Sequence, residues 1–169
     1  MSKPLVIVES PTKVKTISKI LGSDYIVKSS VGHIRDLPRN AKSIPSAFDS
    51  KSILWGAVKP DSFENIYVIP EDRIKIVNEL KELSSSASEV YLATDDDREG
   101  EAIAYHLKEA LEIKGEPKRI KFNEITEAAV TKAMNNPETI DVGKFKSYEA
   151  RRTLDRMICL LYTSDAADE

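Results

Sequence analysis

Short apolar runs alternate along this chain with longer stretches in which apolar residues recur every three or four positions, the pattern of strands alternating with helices. Residues 4–9 predict a buried strand that ends at Glu9. Val14, Ile17 and Leu21 then mark the inner face of a helix that begins at Ser10-Pro11 and stops at Gly22. Ser10 suits the N-cap, and Pro11 suits the first helical position, where a missing N–H is no loss. Residues 25–31 predict a second strand. Residues 36–65, rich in Pro, Ser and Lys, predict a long irregular connection, and loops of that length are more often functional than inert. A helix over 71–83 follows from Ile74, Val77 and Leu80, with Ser84-Ser85-Ser86 read as its break. Residues 89–94 predict a third strand, and 98–113 a helix with Ile103, Leu107, Ala110 and Leu111 inward. Residues 119–125 predict a fourth strand, 126–135 a short helix, and 141 onward a last helix with Tyr148 and Leu154 among its apolar positions. The fold class is α/β.

Composition adds limits rather than a function. A chain of 169 residues with 41% hydrophobic content can bury one sizeable core. The longest early apolar run, Leu5 to Val8, is too short for a signal peptide or a membrane span, and a single cysteine, Cys159, excludes an internal disulfide and fits a reducing cytoplasm. The net charge of −3 gives no global pull on nucleic acid, so local distribution decides. Basic residues gather at Lys13, Lys15 and Lys19, at Lys28, Arg35, Arg39 and Lys42, and at Arg151, Arg152 and Arg156. Lysines on a helix are usually only a solvated face. Lys13 stands apart because it falls in the first turn after Glu9, where free backbone N–H groups favour a phosphate.

The densest chemistry lies in Ala93-Thr94-Asp95-Asp96-Asp97-Arg98-Glu99-Gly100-Glu101, with five carboxylates in the seven positions from Asp95 to Glu101. Like charges so crowded repel unless a cation sits among them, and hard oxygen ligands suit Mg²⁺. An acidic turn that merely caps the following helix is an equally open reading of this stretch alone. Two placements favour a site. The carboxylates follow a strand, where open α/β sheets put their ligands, and Glu9 stands at the end of another. If those two strands are parallel neighbours, Glu9 and the Asp95/Asp97 pair converge. His33, after Gly32, and His106, on the helix beyond the acidic stretch, are the two histidines, and His106 reads as structural.

Leu5 to Lys13, Ser29 to Pro38, Ala93 to His106, Lys121 to Thr126 and Glu149 to Arg156 together resemble the N-terminal toprim domain of the bacterial type IA DNA topoisomerases. The resemblance covers nearly all of residues 1–157. It implies a toprim, Rossmann-like fold, with a mainly parallel central sheet flanked by helices over residues 1–140 and the start of a helical DNA-binding domain over 141–157. Such enzymes cut one strand of negatively supercoiled DNA without ATP through a 5′-phosphotyrosine, pass a strand and reseal. By resemblance, Glu9 is the general acid and base at the leaving 3′-oxygen and Lys13 neutralises the scissile phosphate. Glu9, Asp95, Asp97 and Glu99 are the implied Mg²⁺ ligands. His33, Arg151, Arg152, Asp155 and Arg156 are the implied contacts to single-stranded DNA, Asp155 orienting the arginines or a base unless it is merely paired with Arg151 along the helix. The implied partners are a single-stranded region of DNA and the remaining domains of the full enzyme, and the implied protein is a cytoplasmic monomer.

Two departures stand out. Asp96 occupies a position where the family has an apolar residue or proline, and it tightens Mg²⁺ binding only if it points inward. Residues 158–169 do not continue the family pattern and are expected to be an unfolded, non-native tail, so Tyr162 is not the nucleophile, and the nucleophilic tyrosine is expected to be absent. Without that tyrosine the chain alone is expected not to relax DNA. A free-standing toprim nuclease and a noncatalytic DNA-binding module are the rival readings.

Overall fold

The computed structural model describes residues 2–165. Four short parallel strands form one sheet: β1 (Leu5–Val8), β2 (Ile26–Ser29), β3 (Val90–Ala93) and β4 (Lys118–Ile120), in the order β2-β1-β3-β4. The expected neighbourhood of the first and third strands holds, with Leu5 opposite Val90 and Val8 opposite Ala93. Around the sheet lie α1 (Pro11–Leu21), α2 (Glu71–Ser86), α3 (Arg98–Ala110), α4 (Glu127–Asn135) and α5 (Val142–Asp165).

Every residue of β1 and β3 is buried because both faces of the sheet are covered, and alternation sends successive side chains to opposite cores. Leu5, Ile7, Val90 and Leu92 pack with Val77 and Leu80 of α2 and Ile103, Leu107 and Leu111 around α3. Val6, Val8, Tyr91 and Ala93 pack with Ile17 of α1 and Val130 of α4. The strand order reverses between β1 and β3, so their carboxyl ends open on the crevice where such sheets place ligands.

Several sequence expectations need correction. Ser84, Ser85 and Ser86 do not break α2 but form its last turn, each hydroxyl donating to a carbonyl three or four residues back. Ile74, expected inward, is 47% exposed, and the inner face is Val77 and Leu80. The fourth strand stops at Ile120, opposite Ala93, where β3, its one strand partner among the described residues, ends. Ser10 holds the N-cap position, yet its hydroxyl makes no capping hydrogen bond. Residues 158–165, expected to be an unfolded tail, continue α5 as helix, consistent with a run free of Gly and Pro. The rest of that expected tail, 166–169, lies outside the described residues.

His106 is buried among Tyr67, Tyr105, Phe145 and His33, and neither ring nitrogen has a hydrogen-bond partner among the described residues. Burial, helped by nearby Arg35 and His33, pushes its pKa down to about 3. The unfolded chain therefore takes up a proton below about pH 6.5 that the folded chain refuses, and stability is lost as pH falls from there toward 3. Urea unfolding at pH 7 and pH 5 is expected to show the wild type losing about 1.4 kcal/mol more per pH unit than His106→Leu within this window. Parallel pH profiles would refute the assignment.

Candidate active site at the carboxyl ends of β1 and β3

Glu9 follows β1 directly, and Asp95 lies two residues beyond β3. Although 86 residues apart in sequence, they meet: the Asp95 amide donates to Glu9 Oε2 at 3.2 Å. Lys13, one helical turn after Glu9, places its ammonium between them, ion-paired with Glu9 Oε1 and with Asp95 Oδ1. Burial alone would lower the Lys13 pKa, but hydrogen bonds to Asp95 and Glu9 outweigh it and hold the ammonium above its ordinary value. Burial would likewise raise Asp95. The hydrogen bonds with Lys13 and Glu9 overcome this and keep its carboxyl below the usual range.

Asp97 caps α3, its Oδ1 accepting the Gly100 amide at 2.6 Å. The capping role is thus real for Asp97, but it does not remove the residue from the site. Glu9, Asp95, Asp97 and Glu99 line one cavity of about 430 Å³ together with Ser10, Pro11, Val31 and Gly32. Of these four carboxylates, Glu9 and Asp95 are ion-paired with the Lys13 ammonium, whereas Asp97 caps α3 and Glu99 lies beside His33. Hard donors with excess negative charge fit Mg²⁺, which is held by one or two carboxylates with water and phosphate rather than by a protein cage. Among the described residues, no three His, Cys, Asp or Glu groups converge closely enough to enclose an ion unaided.

Asp96 turns away from this cavity. It accepts from Lys144 Nζ at 2.8 Å, and Lys121 lies at 3.8 Å, so the extra charge is met at the start of α5. That hydrogen bond from Lys144 holds its pKa down.

Glu99 also lines a second hollow, about 350 Å³, with His33, Asp36, Tyr148, Arg151, Arg152 and Asp155. The two cavities therefore adjoin. The His33 and Tyr148 rings stack at 5.5 Å and 18°, and His33 Nε2 lies 3.4 Å from both the Tyr148 hydroxyl and Glu99 Oε1. Arg152 grips both oxygens of Asp36 at 3.0 Å, and Arg156 donates to the Pro38 carbonyl at 2.8 Å, so these two arginines tie α5 to the segment after β2. Arg151 is exposed, and no ion pair within 4 Å joins it to Asp155, which leaves the helix-pair reading without support.

Sequence reasoning missed what holds the acidic loop from behind. Arg119, fully buried in β4, donates to the carbonyls of Leu92, Thr94, Asp95 and Ile120, and its Nε faces Glu101 Oε2 at 3.3 Å. Glu101, also fully buried, accepts the Asp141 amide at 2.6 Å, and Thr94 donates to the Gly100 carbonyl at 2.6 Å. Of the five clustered carboxylates, Glu101 thus belongs to the core and not to the cavity. Its place three residues before the buried Ala104 was the available signal.

With this geometry in hand, the Toprim domain family matches residues 4–125. The chain belongs to that family. Its toprim fold is shared with the full-length topoisomerase I of Thermotoga maritima, at a TM-score of 0.77 and 38% identity over 90% of this chain and 24% of that one. DNA topoisomerase 1 of Mycolicibacterium smegmatis is 49% identical over 154 residues, 90% of this chain and 16% of the relative. DNA topoisomerase 1 of Escherichia coli is 44% identical over 178 aligned residues, 94% of this chain and 20% of the relative. This toprim chain therefore spans about a fifth or less of the length of these curated relatives. Its described helices include none long and apolar enough to cross a membrane.

Proposed function

We propose that this chain is the toprim part of a type IA topoisomerase, which relaxes negatively supercoiled DNA in the cytoplasm without ATP, by breaking and rejoining one strand through a 5′-phosphotyrosine. The observation that carries the reading is the meeting of Glu9, Lys13 and Asp95 at the switch point of the sheet, beside a hollow lined by arginines. Glu9 is poised to hold and return the proton of the 3′-oxygen. Lys13 neutralises charge that grows on the scissile phosphate. Asp95 and Asp97, with Glu99 and Glu9 around them, would hold Mg²⁺, which when bound orients the strand ends for rejoining. His33, Arg151, Arg152, Asp155 and Arg156 line or brace the path of the single strand. The arginine grips on Asp36 and Pro38 make Arg151 the residue most available to a phosphate, with Arg152 and Arg156 shaping the wall.

A chimera in which residues 1–157 replace the matching segment of the Escherichia coli relative is expected to relax negatively supercoiled plasmid in Mg²⁺ without ATP, whereas the chain alone, as a monomer, binds single-stranded oligonucleotide and relaxes nothing. A folded chimera that stays inactive would sink the reading. Metal-dependent nicking by the chain alone, lost in Asp95→Asn, would point instead to a nuclease. Salt-sensitive binding indifferent to every carboxylate would point to a noncatalytic module.

A further inference from the structure

We propose that Lys13 is the resident counter-ion of the Glu9–Asp95 pair, and that a divalent cation enters the site by displacing its ammonium, so that Lys13 sets the affinity of the site for metal. The inference rests on the metal reading above and extends it. The ammonium is bonded to one oxygen of each carboxylate, and the second Glu9 oxygen already accepts the Asp95 amide. Asp97 has committed an oxygen to its helix cap. A metal drawing on Glu9 or Asp95 must therefore use oxygens that Lys13 holds or stand within a few ångströms of its charge, and two cations so close repel strongly.

Which partner yields follows from how each is held. Asp95 is fixed through its own carbonyl by buried Arg119, and Glu9 sits directly at the end of a fully buried strand. Lys13 hangs on four methylenes from the first turn of α1, with 18% of its side chain exposed. The carboxylates stay and the ammonium moves. Before metal arrives, the acidic loop is already partly neutralised and can fold without an ion. Once metal arrives, the freed ammonium lies over the amino end of α1, where an anion is favoured, and a strand phosphate becomes its new partner.

Isothermal titration of the chain with Mg²⁺, and with Mn²⁺ as a tighter-binding substitute, tests this. Lys13→Met is expected to bind metal about tenfold or more tightly than the wild type, and Lys13→Arg, which keeps the charge, no more tightly. Lys13→Met binding equal to or weaker than the wild type, while Asp95→Asn abolishes binding, would overturn the counter-ion role and leave the metal reading intact. No carboxylate-dependent binding by any form would overturn both. A readout on the unmodified chain guards against misfolded variants: the Lys13 ammonium protons, slow to exchange while held between two carboxylates, are expected to exchange faster as metal saturates. Unchanged exchange at saturation would also refute the displacement.

Discussion

Replacing Arg119 by methionine is expected to lower the unfolding free energy by about 3–5 kcal/mol, the range for breaking a buried ion pair by removing one partner. Glu101, with no solvent access, would keep only the Asp141 amide and the more distant Lys121 ammonium at 3.9 Å, and the carbonyls of Leu92, Thr94 and Asp95 would lose a shared donor. Urea unfolding followed by far-UV circular dichroism measures the loss, and a change under about 1 kcal/mol would mean that water or another side chain takes over the role. The double variant Arg119→Met with Glu101→Met should recover part of the loss, since apolar residues of similar volume often substitute well for a buried pair. It should not restore metal affinity. The Asp95 carbonyl would still be unheld, and the carboxylate on the same residue would wander.

Gly100→Ala is expected to remove stability and site geometry together. A methyl group there would stand 2.2 Å from the Asp95 carbonyl oxygen and 2.9 Å from the Asp95 carbonyl carbon and amide nitrogen, all backbone atoms that no rotamer change can clear. That carbonyl also accepts from Arg119 Nη2 at 2.8 Å, so the loop cannot retreat without disturbing the buried pair. Overpacking of this kind costs about 1–3 kcal/mol or more, and the displaced loop carries Asp95 and Asp97 with it. Gly143→Ala is the milder comparison, because its nearest foreign atom is Asp141 Oδ1 at 3.1 Å, a side-chain oxygen that need give only slightly while it accepts the Lys144 amide. If Gly100→Ala binds metal like the wild type, the close approach of helix and loop is not what shapes the cavity.

The patterned elements were legible because burial on both faces writes itself into β1 and β3 as unbroken apolar runs, and Glu9, Lys13 and the Asp95 stretch sit at the ends those runs define. What stayed hidden depends on contacts between distant segments. Nothing local distinguishes Arg119 from a lysine or arginine on an exposed strand edge, since only the assembled sheet encloses it. Glu101 belonged by spelling to an acidic cluster and by helix phase to the core, and the cluster dominated the reading. The serines at the end of α2 resembled a break because hydroxyl groups compete for backbone partners, but at a helix end those partners are carbonyls that would otherwise be unmet. Tyr148 looked like one more apolar helix position, and its stacking on His33 could not be read without knowing that α5 returns past residues 33–38.

The sheet order has a consequence for how the protein is made. β1 emerges first, and its central partner, β3, leaves the ribosome some eighty residues later, after α1, β2, the long irregular connection and α2. Throughout that interval Leu5, Ile7, Val6 and Val8 have β2 on one side and an open hydrogen-bonding edge on the other, with one apolar face waiting for α3. Nascent chains stalled between residues 30 and 90 should therefore be the sticky species, and chaperone engagement should fall once Arg98–Ala110 has been translated.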